Sequence, residues 1–185
     1  MRKPWILMAG LLLAAGVHAQ QKLVPAQSEI VFVSKQMGVP VEGKFTRFDA
    51  QIAFDPKKPE TGKAAFTIDL ASASLGSAET ETELKQPGWL NSAKVPQATF
   101  ASTAIKAVGG GKFEISGKLT IKGNTRDVVV PATLTQAGAS TTAAGSFTLK
   151  RVDYKIGEGE WNDVSIVAND VVVRFKLVLT GVAAL

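Results

Sequence analysis

The sequence predicts an all-β protein, an antiparallel sandwich or barrel of eight or nine strands with one short helix. Three observations carry this prediction. Apolar and polar residues alternate with period two along most of the chain, which is the pattern of strands with one face on a core and one in water. Gly, Pro and Asn clusters punctuate these runs at the spacing of hairpin turns. Helical start and stop signals occur together in one window.

The N-terminal segment is read apart from the fold. Arg2 and Lys3 precede an apolar run from Trp5 to Ala15, and Val17-His18-Ala19 offers the small residues a signal peptidase reads. These features predict a secretory signal peptide over residues 1–19, with one domain over 20–185 and a periplasmic or secreted location. No stretch of eighteen apolar residues follows position 20, so no later helix is expected to span a bilayer. His18 is the single histidine and cysteine is absent. After cleavage, Ser-His-Asp and Cys-His catalysis are excluded, as is imidazole or thiolate binding of zinc, copper or haem. Loss of Arg2 and Lys3 lowers the net charge from +5 to +3.

The strands follow in order. Ile30 to Ser34 is the first. Val39, Val41, Gly43 and Phe45 share a face in the second. Phe48, Ile52 and Phe54 mark the third, closed by Asp55-Pro56. Ala64, Phe66, Ile68 and Leu70 mark the fourth. The helical window is Ser77 to Lys85, where Thr80 and Glu83 fit a capping box and Pro87-Gly88 stops the helix. Ala98 to Ala107 is a strand. Lys112 to Lys122 alternates most cleanly, with Phe113, Ile115, Gly117, Leu119 and Ile121 on one face and Glu114, Lys118 and Lys122 on the other. Gly123-Asn124 turns it into Val128 to Leu134, a hairpin. Thr135 to Ala144, rich in Ala, Ser, Thr and Gly, reads as a mobile hairpin tip. Gly145 to Arg151 and Val171 to Leu179 complete the set.

Catalytic motifs are scarce. Gly109-Gly110-Gly111-Lys112 lacks the spacing and the Ser/Thr of a phosphate loop and joins two strands, so it is a hairpin tip. Glu158 and Glu160 lie close in a loop with Asp163, but a solvated turn accounts for them better than acid–base chemistry on a sugar. The lysines and arginines are scattered without interleaved aromatics, so nucleic acid is not expected as a partner. Charged residues in mid-strand on outward faces argue against an outer-membrane barrel.

A small antiparallel barrel is either filled by its side chains or wide enough for one small ligand. The residues expected to line such a lumen are Phe32, Val41, Phe45, Phe54, Phe66, Ile68, Trp89, Phe100, Phe113, Ile115, Leu119, Phe147, Val173 and Phe175. Trp89, after the helix, is placed to close one mouth. Gly43 and Gly117 are inward positions without side chains, and they either leave room for a guest or mark a bend.

Several segments together resemble the YceI-like family of exported polyisoprenoid-binding proteins. They are Gly43-Lys44-Phe45-Thr46-Arg47-Phe48, Ile52-Ala53-Phe54-Asp55-Pro56, Leu75-Gly76-Ser77-Ala78-Glu79 leading through Leu84 to Trp89-Leu90-Asn91, Val95-Pro96-Gln97-Ala98-Thr99-Phe100-Ala101-Ser102, Gly117-Lys118-Leu119-Thr120-Ile121-Lys122-Gly123 and Leu149-Lys150-Arg151-Val152-Asp153-Tyr154-Lys155-Ile156-Gly157. The resemblance implies an elongated lipocalin-like antiparallel barrel of about eight strands with a helix against one end. Its lumen would hold a long isoprenoid, an isoprenoid quinone or another amphiphilic chain, with no cofactor, no metal and no catalysis. Two departures bear on headgroup recognition: Gln36 stands where relatives often carry His, and Thr80 and Glu83 stand where they often carry Arg and His. The alternative function is an envelope interaction module, a solid barrel docking on a membrane redox protein of the b561 cytochrome type or on a stress-response partner. Transient contact with a membrane or membrane protein, and a homodimer, are the further partner classes.

Overall fold

The computed structural model describes residues 21–185. The predicted signal peptide and its cleavage site lie outside the described residues. The chain forms β1 (Lys22–Leu23), β2 (Glu29–Gln36), β3 (Val39–Phe45), β4 (Phe48–Ala53), β5 (Lys63–Asp69), β6 (Ala73–Ser74), α1 (Ala78–Leu84), β7 (Gln97–Gly109), β8 (Lys112–Ile121), β9 (Asn124–Ala137), β10 (Ser140–Lys150) and β11 (Asp170–Thr180). All pair antiparallel in a single sheet of order β4-β5-β7-β8-β9-β10-β11-β2-β3-β6, with β1 beside β11. Nine of the strands are long; β1 and β6 have two residues each.

The sheet curls until its first and last strands approach, a half-barrel of the expected lipocalin-like class. Among the described residues no backbone ladder joins β4 to β1 or β3. Side chains stitch that seam instead. The Gln21 amide donates from Nε2 to the Phe54 carbonyl at 2.6 Å and accepts from the Phe54 N–H at Oε1 at 2.9 Å, doing for one residue what a neighbouring strand would do. Beyond the end of β3 the Ser72 main-chain carbonyl accepts from the backbone N–H of Thr46, and the Ser72 Oγ accepts from that of Arg47. These bonds satisfy edge groups that water would otherwise have to reach.

Turn chemistry sets the register. Met37-Gly38 and Lys122-Gly123 are two-residue turns with both residues at positive φ (48° and 81°; 51° and 74°), the geometry that matches the twist of the flanking strands. Three sequence expectations need correction. Thr135 to Ala144 is not a mobile tip: β9 runs to Ala137 and β10 starts at Ser140, leaving only Gly138-Ala139 as the turn. Thr141 packs as a strand residue should, at 1% exposed, while Thr135 faces solvent. The helix is capped by Ser77, whose Oγ accepts from the Thr80 N–H, and not by a Thr80–Glu83 box. Glu81 accepts from the Ser74 hydroxyl and the N–H groups of Leu75 and Gly76, which anchors α1 to the chain before it. Finally, Glu158 is not merely solvated but pairs with Lys122 at 2.6 Å.

Candidate functional site

The inward faces of the strands enclose two chambers of about 140 Å³ each. Ile30, Ile68, Leu119, Phe147 and Val173 border both, so the chambers meet at a common waist. The far chamber is walled by Phe54, Phe66, Phe100, Ile105, Phe113, Ile115, Leu134 and Phe175 among others, and every lining residue is aliphatic or aromatic. The second lies beside α1. Phe32, Phe45, Leu84, Trp89, Leu90, Leu149 and Ile156 line it, together with two polar residues, Ser34 and Arg151.

The structure places thirteen of the fourteen predicted lumen residues on these walls. Phe54, Phe66, Phe100, Phe113, Ile115 and Phe175 border the far chamber; Phe32, Phe45 and Trp89 border the helix-end chamber; Ile68, Leu119, Phe147 and Val173 sit at the waist. Val41 borders neither chamber. It faces Ser34 across the β2–β3 ladder, and the wall there is supplied by Phe32, whose ring lies over Gly43. Trp89 packs against Trp161 with ring centroids 5.7 Å apart and the planes tilted by 45°, so a second indole backs the chamber wall beside α1.

The glycines do not leave guest space of their own. A Cβ on Gly43 would sit 2.3 Å from the Phe32 ring, on Gly117 2.5 Å from the Phe100 ring, and on Gly145 2.6 Å from the Phe175 ring. In each case a phenylalanine of the neighbouring strand lies flat across the glycine. The absent side chain therefore lets the ring hug the wall, and the lumen stays open beyond it. Gly117 also faces a β-bulge: Thr103 is an extra residue between Ser102, paired with Gly117, and Ala104, paired with Ser116.

Sequence reasoning missed Arg151. It is 1% exposed, and its three guanidinium nitrogens donate to five backbone carbonyls, those of Ile156, Gly157, Asp163, Val167 and Ala168, at 2.6 to 3.5 Å. Burial pushes its pKa below the usual arginine value, yet a guanidinium remains protonated at any ordinary pH. It ties the 151–168 connection into one knot at the helix-end chamber. Lys122 is similarly committed, with a side chain 7% exposed that donates to Glu158 and to the Lys155 carbonyl. Its hydrogen bond holds the Glu158 carboxyl below the usual carboxylate range. Ile30 and Ser34 were also missed, although they share the face of Phe32 by simple alternation. Ile105 was hidden by the bulge at Thr103, which reverses the parity of β7.

A curled antiparallel sheet around two adjoining, largely apolar chambers, with a helix beside one of them, defines a lipocalin-like half-barrel with an internal cavity. The chain belongs to the YceI-like family: the YceI-like domain model matches residues 21–179. It is similar to protein YceI of Escherichia coli O157:H7, with 36% identity over 125 residues, 63% of this chain and 65% of that protein. The match thus spans slightly less than two thirds of that relative. Its fold is similar to the crystal structure of BcnA from Burkholderia cenocepacia, at TM-score 0.82 and 46% identity over 84% of this chain and 98% of that one. It also resembles a structure described as a polyisoprenoid binding domain from Saccharophagus degradans, at TM-score 0.69 and 18% identity over 88% and 99% of the two chains, a likeness of fold.

Proposed function

We propose that the protein is an exported, periplasmic carrier that sequesters a long-chain isoprenoid or other amphiphilic lipid in its lumen and catalyses nothing. The observation that carries this reading is the lining itself: two joined apolar chambers in which no carboxylate takes part and the one cation is saturated by carbonyls. Such walls attract an apolar chain by area burial, at about 25 cal/mol per Å². Glu158, Glu160 and Asp163, the acids suggestive in sequence, border neither chamber. The polyisoprenoid-binding description of the Saccharophagus domain points the same way.

Volume sets a condition on the ligand. An apolar cavity of about 150 Å³ holds one benzene. Two chambers of about 140 Å³ each therefore take on the order of two isoprene units without adjustment. A longer tail has to emerge from a chamber or part the walls, and the seam held by Gln21 is a wall without a backbone ladder among the described residues. Native mass spectrometry of the protein purified from a periplasmic extract without detergent tests the proposal. A stoichiometric long-chain adduct is expected. A bare mass after incubation with isoprenoid quinone and with fatty acid would overturn it and send the search to protein partners such as a b561-type cytochrome.

A further inference from the structure

The β4–β5 hairpin is laddered to the rest of the sheet along only part of its length. β5 pairs with β7 from Asp69↔Gln97 to Ala65↔Ala101, and there the ladder ends. The bulge at Thr103 lies just beyond, an irregularity of the kind that terminates pairing. On its other side β4 has no ladder among the described residues. Within residues 52–64, Ile52 pairs with Ala64 and Ala53 with Lys63, and no other strand joins them. The tip closes on itself, the Lys58 N–H donating to the Asp55 carbonyl and the Gly62 N–H to that of Pro59. It is built to move as one piece.

Side chains fasten this flap where strands would otherwise do so. Gln21 makes its two bonds to the Phe54 backbone, and the Ala64 N–H donates to Ser102 Oγ at 2.8 Å. The Phe54 ring meets Phe113 edge-on, with centroids 5.2 Å apart. The flap is also a wall: Ile52, Phe54 and Ala64 line the far chamber, whereas Gln21 lines neither chamber. Lifting the flap exchanges a few polar bonds for bonds to water, whose net cost is small, and breaks no ladder to a neighbouring strand. A chain entering end-on has to thread the waist instead. We infer that residues 52–64 form a lateral lid over the far chamber, latched by Gln21, and that the lipid enters and leaves sideways through the seam. This inference rests on the carrier reading and adds the route to it.

Stopped-flow fluorescence with retinol and with cis-parinaric acid tests the route, direct mixing giving the on-rate and extraction into excess phosphatidylcholine vesicles the off-rate. In Gln21→Ala both rates are expected to rise about tenfold, the scale of the two hydrogen bonds removed, with the affinity changed by less than about twofold because both rates move together. Gln21→Glu, which keeps the acceptor and loses the donor, speeds exchange part of the way, as does Ser102→Ala. Glu81→Ala, which frees α1 from Leu75 and Gly76 at the other end of the lumen, leaves both rates unchanged. Wild-type rates in the folded Gln21 variants, or acceleration by Glu81→Ala equal to theirs or greater, overturn the lid and leave the carrier intact. A raised off-rate alone, with weaker affinity, makes Gln21 a ligand contact and overturns the latch. Binding of neither probe by the folded protein overturns the carrier reading and the lid together.

Discussion

At the scale of single residues, the most consequential group is Arg151. Its five carbonyl partners lie in the 156–168 connection, outside the strands named above, so removing the guanidinium leaves all five without that donor. Arg151→Met should cost about 3–5 kcal/mol, the range for uncovering a buried charged network, read as a fall in the urea midpoint. Tyr154 gives a cleaner titration, being the single tyrosine of the sequence and 2% exposed. Burial pushes its phenol up to about 12 from a usual value of 10. The unfolded chain then loses this proton first as pH rises, so the stability it contributes is whole below pH 10 and drains away between 10 and 12. The slope is about 1.4 kcal/mol per pH unit. Phenolate absorbance should appear only near the upper value in the folded protein, and Tyr154→Phe should remove the alkaline slope.

At the scale of elements, the seam is where the barrel is held by side chains and not by a ladder. Gln21→Ala leaves the Phe54 N–H and carbonyl without their partner, at a cost of about 1–3 kcal/mol. Hydrogen exchange should then quicken in β4 (Phe48–Ala53) and at Lys22–Leu23, with the β8–β9 hairpin unaffected. Equal acceleration across the sheet would show that the seam does not open on its own. Elements were well legible in sequence where alternation was undisturbed. β8 and β11 stand as read, because a face of Phe, Ile, Leu and Val fixes both the strand and its inward side. Reading failed where a local feature competed. The Ala/Ser/Thr-rich stretch lacks large apolar residues, so its strand character is set by its neighbours β9 and β11. The capping residue was misplaced because Ser77 and Thr80 both precede an acidic residue at short spacing.

At the scale of the whole molecule, the lumen is narrow and its far chamber wholly apolar, so its chemistry is vulnerable to one charge. Phe66→Arg and Ile115→Arg each place a cation on the far-chamber wall, away from the buried core cluster around Leu70 and Tyr154. Folded variants of either should lose lipid binding, measured by native mass spectrometry, and uptake undiminished by a folded variant would remove that residue from the site. A bound lipid at a hundredfold its Kd should stabilise the protein by about 2.7 kcal/mol, read in the same urea titration. That gain should be absent in the arginine variants.

The sequence alone determined that this chain is an antiparallel β-protein, which residues face inward where alternation is undisturbed, and that the YceI-like family is the one it resembles. Those properties live in period-two patterning, turn residues and ordered short motifs, all local in the chain. Tertiary structure decided how far the sheet closes, that Phe32, Phe100 and Phe175 lie flat over glycines and leave the lumen open, and that Arg151 is sealed in carbonyls while Ser34 and Trp89 keep unpaired polar atoms. These depend on pairs distant in sequence, such as Arg151 with Val167 or Phe32 with Gly43. A hydrophobic residue reads the same in a string whether it fills a core or borders a void; the difference is only the presence or absence of an opposing atom across the barrel.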